Sequence, residues 1–199
     1  MRKIVLIALC FLVLGSTAFA LDMVIGGGGQ FGLAFKQYNY PENDDYYATT
    51  TNIDGATSFG GFAFFGLTRY MEANISVFAE IGSAVDQWYE TGEKVTEPWD
   101  YTRSYVGVGF YFKYPFTFGN NFVLFPTLGT DLQSNNGGLD LWLGGGVGMD
   151  IFFGQRLFLR AQAVYRYGVL LVYKGALYGE GVTGNAHGPL FKLGLGWMY

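Results

Sequence analysis

The chain has 199 residues, half of them hydrophobic and 19% aromatic, with 31 glycines, 14% charged residues and a net charge of −4 at pH 7. The acidic balance argues against nucleic-acid binding, the aromatic content against disorder, and glycine without a Gly-x-y period against collagen. Beyond residue 20 no stretch approaches the roughly 18 continuous apolar residues that would mark a spanning helix, which leaves an all-β chain whose strands alternate in polarity.

Residues 1–20 read as a secretory signal peptide. Arg2 and Lys3 give the positive start, Ile4 to Leu14 the apolar core, and Ala18-Phe19-Ala20 the small-x-small cleavage site. A core of roughly eleven residues is too short to span a bilayer, which needs about twenty. Cys10 lies inside that core after Leu9, which argues against lipidation, and it is the only cysteine, so residues 21–199 hold no disulfide. Those residues form one predicted domain.

The first predicted strand runs from about Leu21 to Lys36, with Met23, Ile25, Phe31, Leu33 and Phe35 on one face. Inside it Gly27-Gly28-Gly29-Gln30-Phe31-Gly32 matches Gly-x-Gly-x-x-Gly, but a dinucleotide fingerprint needs a helix to follow, and here the alternation simply continues. Glycines facing a tight barrel interior account for it better. Tyr38 to Gly55 reads as a long polar loop carrying Glu42, Asp44, Asp45 and Asp54; it lacks the ordered ligand spacing of a calcium loop. A second strand covers about Ala56 to Leu67, aromatic on both faces. In the third, Met71, Ala73, Ile75, Val77, Ala79 and Ile81 alternate with Glu72, Asn74, Ser76, Phe78 and Glu80.

Ala84 to Asp100 reads as a second long loop with five acids, Lys94, Trp88, Tyr89 and Trp99. The fourth strand sets Val106, Val108, Phe110 and Phe112 against Arg103, Tyr105, Tyr111 and Lys113, and Pro115 to Asn120 is a predicted turn. The fifth, about Asn121 to Asp131, contains Pro126, which removes a ladder donor. Asp131 to Gly138 is a modest loop. The sixth strand carries Asp140 and Asp150 on its polar face, Gly154-Gln155 makes a tight turn, and the seventh places Arg160, Gln162 and Arg166 opposite Leu157, Leu159, Ala161 and Ala163. Leu170 to Gly188 is a glycine-studded loop, and the eighth strand closes the chain. The connections alternate long and short.

The last eight residues carry the sharpest motif. Leu193, Leu195, Trp197 and Tyr199 share one face, and Lys192, Gly194 and Gly196 the other. In water such a terminal apolar row would be exposed; in lipid its aromatics suit the girdle at the membrane boundary. A polar residue, a glycine two further on and aromatics at the antepenultimate and final positions resemble the C-terminal signal of bacterial outer-membrane barrels, filled here by Lys192, Gly194, Trp197 and Tyr199. With the strand count and loop asymmetry, the chain resembles the small eight-stranded outer-membrane barrels grouped around OmpX, OmpW, Opa and the OmpA membrane domain. The fold class expected is therefore an eight-stranded antiparallel up-and-down transmembrane β-barrel in the outer membrane, its partners being membrane lipid and the barrel-assembly machinery.

Two sets of residues then call for a role. The inward faces collect Glu72, Glu80, Asp140 and Asp150 with Lys36, Arg103, Lys113, Arg160, Arg166 and Lys192. These are either an ion path or catalytic group, or, as the width of an eight-stranded barrel favours, side chains filling the lumen and neutralising one another. The acidic, aromatic segments with Tyr46, Tyr47, Trp88, Tyr89 and Trp99 suit either contact with a host or extracellular ligand or a solvated role facing surface polysaccharide. No cofactor or metal is expected: His187 is the only histidine, beside Asn185 and Gly188, without a nucleophile or paired acid. Likeness to OmpX or Opa implies surface contact or adhesion. Likeness to OmpW implies passage of small hydrophobic molecules through a lateral exit, for which Pro126 would be the weak point in the wall.

Overall fold

The computed structural model describes residues 23–40, 48–90, 93–135, 138–173 and 183–199. The signal-peptide expectation and Tyr46 and Tyr47 fall outside these. Among the described residues nine strands form: β1 (Val24–Tyr40), β2 (Thr49–Thr68), β3 (Met71–Glu90), β4 (Glu93–Lys113), β5 (Phe116–Phe118), β6 (Phe122–Asn135), β7 (Gly138–Phe153), β8 (Leu157–Tyr173) and β9 (Thr183–Met198). Eight of them close into one antiparallel ring. β1 pairs with β9, and β4 with β6, while three-residue β5 pairs only with β6.

The expected turn at Pro115 to Asn120 is thus corrected. β4 breaks at Tyr114-Pro115, its direction is resumed by β5, and the reversal falls at Gly119, where φ is +61°. Pro126 sits opposite this break. Its carbonyl accepts from the Tyr114 N–H at 3.2 Å, and on the other edge it pairs with Val147. In an antiparallel strand a residue's nitrogen and carbonyl oxygen point to the same side, so the donor that proline lacks faces the place where the partner strand changes. The ladder continues on both sides.

Following paired residues round the ring from Gly28 in one direction (Phe62, Ser76, Gly107) reaches Gln133 on β6. In the other direction (Gly194, Arg160, Asp150) the path reaches Val123 on the same strand. The ten-residue offset is the shear of the barrel, and with eight strands it belongs with a tilt of roughly 35–45° and an interior just wide enough for side chains. Glycine is required where neighbouring strands approach closely: a Cβ on Gly28 would lie 2.0 Å from the Leu193 carbonyl oxygen of the adjacent β9.

The outer wall is apolar. On β3 every second residue from Met71 to Ile81 points outward, and Val77 is 59% exposed, as Leu193 on β9 is 57%. A continuous belt of this kind is stable only against lipid. At one end Tyr70, Tyr114, Phe116, Phe118, Trp197 and Tyr199 form an aromatic rim. The last residue is tied in, because the Tyr199 N–H donates to the Met23 carbonyl at 2.9 Å.

The strands at the opposite end do not stop where the sequence suggested. β1 reaches Tyr40, β2 starts at Thr49, and β3 and β4 run on to Glu90 and Glu93, so Ala84 to Asp100 is a paired hairpin rather than a loop. The polarity reverses there: Tyr38, Ile53, Ala84 and Tyr101 pack together on the inner side with Tyr40 and Trp99 against them. β2 enters this extension through a bulge at Asp54-Gly55, where Gly55 has φ +77°, a conformation that bends the strand and suits glycine. By contrast β6 and β7 turn round between Asn135 and Gly138. The asymmetry expected in loop length is carried largely by strand height.

Candidate functional site

Eight of the inward charges form two neutral clusters. Near the aromatic rim, Arg160 on β8 makes a two-point ion pair with Asp150 on β7, Nε–Oδ1 at 2.7 Å and Nη2–Oδ2 at 2.8 Å. Its Nη1 donates to Glu72 across the lumen on β3, which also accepts from Lys113 Nζ at 3.1 Å and from Asn74. The guanidinium lies 4.2 Å from the Phe64 ring centre, and Phe125 and Phe158 complete the enclosure. Two-point pairing inside an aromatic cage fixes the group in one orientation.

Towards the other end, Lys36 Nζ contacts Glu80 Oε1 at 2.7 Å, Tyr101 donates to the same oxygen at 3.0 Å, and Lys36 faces the Tyr105 ring. Asp140 is buried within electrostatic reach of Lys36 and Arg103. Arg103 pairs in register with Glu80 across β3–β4, yet its guanidinium rests over the Tyr101 ring at 5.0 Å while Lys36 takes the carboxylate.

Between the clusters Tyr111 donates to Asp131, Lys192 faces the Tyr111 ring at 4.7 Å, and Arg166 lies 4.9 Å from the Trp142 ring centre. All ten expected lumen charges, Lys36 and Lys192 included, therefore do point inward. Asp131 and the aromatic cage of Phe64, Phe125 and Phe158 were absent from the expected set; their inward parity on β2, β6 and β8 was the available signal.

Outside the belt, Asp86 accepts from Thr51 at 2.6 Å and from the Trp99 indole N–H at 3.0 Å, and Ser83 donates to Asp100 at 2.5 Å. Trp88 is half-buried and Tyr89 exposed near the hairpin tip. β4 pairs with β6 only up to Val106–Ser134, so its edge from Glu93 to Tyr105 has β3 on one side and no strand on the other among the described residues. His187 lies on the outer wall, its Nδ1 2.7 Å from the Tyr165 hydroxyl and its ring stacked on Phe35. Among the described residues its hydrogen-bond partner is a tyrosine rather than an acid.

No family model matches the chain, and no curated protein matches it in sequence. Solved structures do. The outer membrane protein OprG from Pseudomonas aeruginosa aligns over 90% of this chain and 96% of its own at 11% identity, TM-score 0.55. The outer membrane protease OmpT from Escherichia coli aligns over 92% and 98% at 9% identity, TM-score 0.52. Neisserial surface protein A aligns over 89% and 97% at 11% identity, TM-score 0.47. Identities this low speak for the fold alone, the small eight-stranded up-and-down β-barrel that bacterial outer-membrane proteins adopt.

Proposed function

We propose that the protein is a closed outer-membrane barrel that works by surface contact through its protruding β3–β4 hairpin. The observation that carries this reading is the free edge of β4 from Glu93 to Tyr105, standing beyond the apolar belt on a packed inner face. A free edge offers unpaired N–H and C=O groups to an extended partner strand. Here Glu93, Lys94, Glu97, Pro98, Asp100 and Arg103 interrupt it, which discourages promiscuous edge-to-edge pairing and leaves a partner of matching charge. The lumen supports the same reading, since the charges toward its two ends are neutralised in place by neighbours rather than left to line a path.

The test is a shortened hairpin in which an Asn-Gly turn replaces residues 85–98, joining Ala84 to Trp99, which already pair. The barrel should still insert, and binding to cells or extracellular matrix should fall to background. Undiminished binding, or uptake of a hydrophobic dye into liposomes that the shortening leaves untouched, would defeat the contact reading and favour a conduit.

A further inference from the structure

The middle of the lumen does not balance as its two neighbours do. The cluster around Arg160 sets two cations against two carboxylates, as does the set Lys36, Arg103, Glu80 and Asp140. Between them two cations, Arg166 and Lys192, face one carboxylate, Asp131, whose Oδ2 already accepts the Tyr111 hydroxyl. Arg166 is 3% exposed and Lys192 4%, and neither forms an ion pair within the described residues. Each meets aromatic faces instead: Arg166 that of Trp142, and Lys192 those of Tyr111 and Phe62.

Two donors here are also left over. The Nε–H of Arg166 and the indole N–H of Trp142, itself 1% exposed, are enclosed without a hydrogen-bond partner. They stand on neighbouring strands in adjacent inward positions, since Arg166 pairs with Gly144 and Trp142 with Gly168. An enclosed cation lacking a counter-charge, beside unused N–H groups, is among the costlier arrangements a protein can hold. Ring faces offset only part of that cost.

We propose that this layer is a binding site for one small monovalent inorganic anion of the chloride or bromide class, held by Arg166 Nε and Trp142 Nε1 with Lys192 supplying the second positive charge. The class follows from the chemistry. One net positive charge calls for one negative, and the unused arginine and indole groups are donors, which a spherical anion accepts from any direction. A divalent oxyanion would overcompensate and would need more room than a side-chain-filled barrel leaves.

The test uses the full refolded protein in detergent, with bromide as the probe and gluconate, a large organic anion, replacing it at constant ionic strength. Tryptophan emission and the urea midpoint are followed together. For the wild type a saturable fluorescence change is expected, and beyond saturation each tenfold rise in bromide should raise the folded-to-unfolded ratio about tenfold. Arg166→Met should abolish both effects. Because that variant carries a folding risk, two others keep the question decidable: Trp142→Phe retains an aromatic face but removes the donor and, since it also removes the local fluorophore, is read by the urea midpoint alone, whose bromide response should weaken, and Asp131→Asn removes the competing negative charge and should strengthen the response. Bromide acting no differently from gluconate on the wild type would overturn the proposal, because water or a neutral lysine would then satisfy the layer. A response unaltered in Arg166→Met, or one that Asp131→Asn fails to strengthen, would overturn it as well.

Discussion

Arg160 is the residue on which the lumen depends most, because two carboxylates on opposite walls, Asp150 and Glu72, converge on it. Replacing it by leucine should lower the unfolding free energy by about 3–5 kcal/mol, the usual cost of leaving a buried charge without its partner; urea titration of refolded protein checks this. Arg103→Leu should cost less, since Arg103 is half-buried and Glu80 keeps Lys36. Alternation along the strands was enough to assign every one of these side chains to the interior. It could not assign partners. Glu72 and Arg160 are 88 residues apart and meet across the lumen, so their contact depends on the shear, a property of the closed ring that no single strand contains. Direct cross-strand pairing matches Glu80 with Arg103 in register; the interior adds Lys36, two strands away, at 2.7 Å.

At the scale of elements, the β3–β4 hairpin and the closing strand behave oppositely with respect to sequence. β9 was legible from Pro189 onward because lipid lies outside it and the lumen inside it there, so one alternation rule holds; Thr183 to Gly188, read as loop, extend the same strand. Beyond Ile81 the rule inverts: lipid gives way to water, Ser83 and Gln87 point outward, and Ala84 joins the buried cluster inside. A polarity pattern read with lipid as the outer solvent therefore mistakes that hairpin for a loop. Two outcomes follow from the difference. Replacing Tyr38–Gly55 and Ala84–Asp100 with Gly/Ser linkers should destabilise the barrel measurably in urea, since it deletes Tyr38, Ile53 and Ala84 from a packed cluster. Changing Trp197 and Tyr199 together to serine should block insertion, as seen in membrane fractionation, if the assembly machinery reads the polar–glycine–aromatic–aromatic end of β9 while that strand closes the ring against β1. Double-mutant protein at wild-type levels in the membrane would remove the recognition role.

For the whole molecule, the labour divides by zone: an apolar belt for lipid, a lumen filled by its own side chains, and a tall acidic hairpin as the proposed contact surface. Binding through that hairpin should weaken with salt, because Asp86, Glu90, Glu93, Glu97 and Asp100 outnumber Lys94 and Arg103 along it. A closed ring without free edges in the bilayer should also resist SDS, so that unboiled protein migrates differently from boiled protein on gels. The central claim is that the lumen is shut by its own side chains. Planar-bilayer recording of the refolded barrel tests it most directly: no stable ohmic channel is expected, and a steady channel of large unit conductance would show that the charged clusters line an open path instead of closing one.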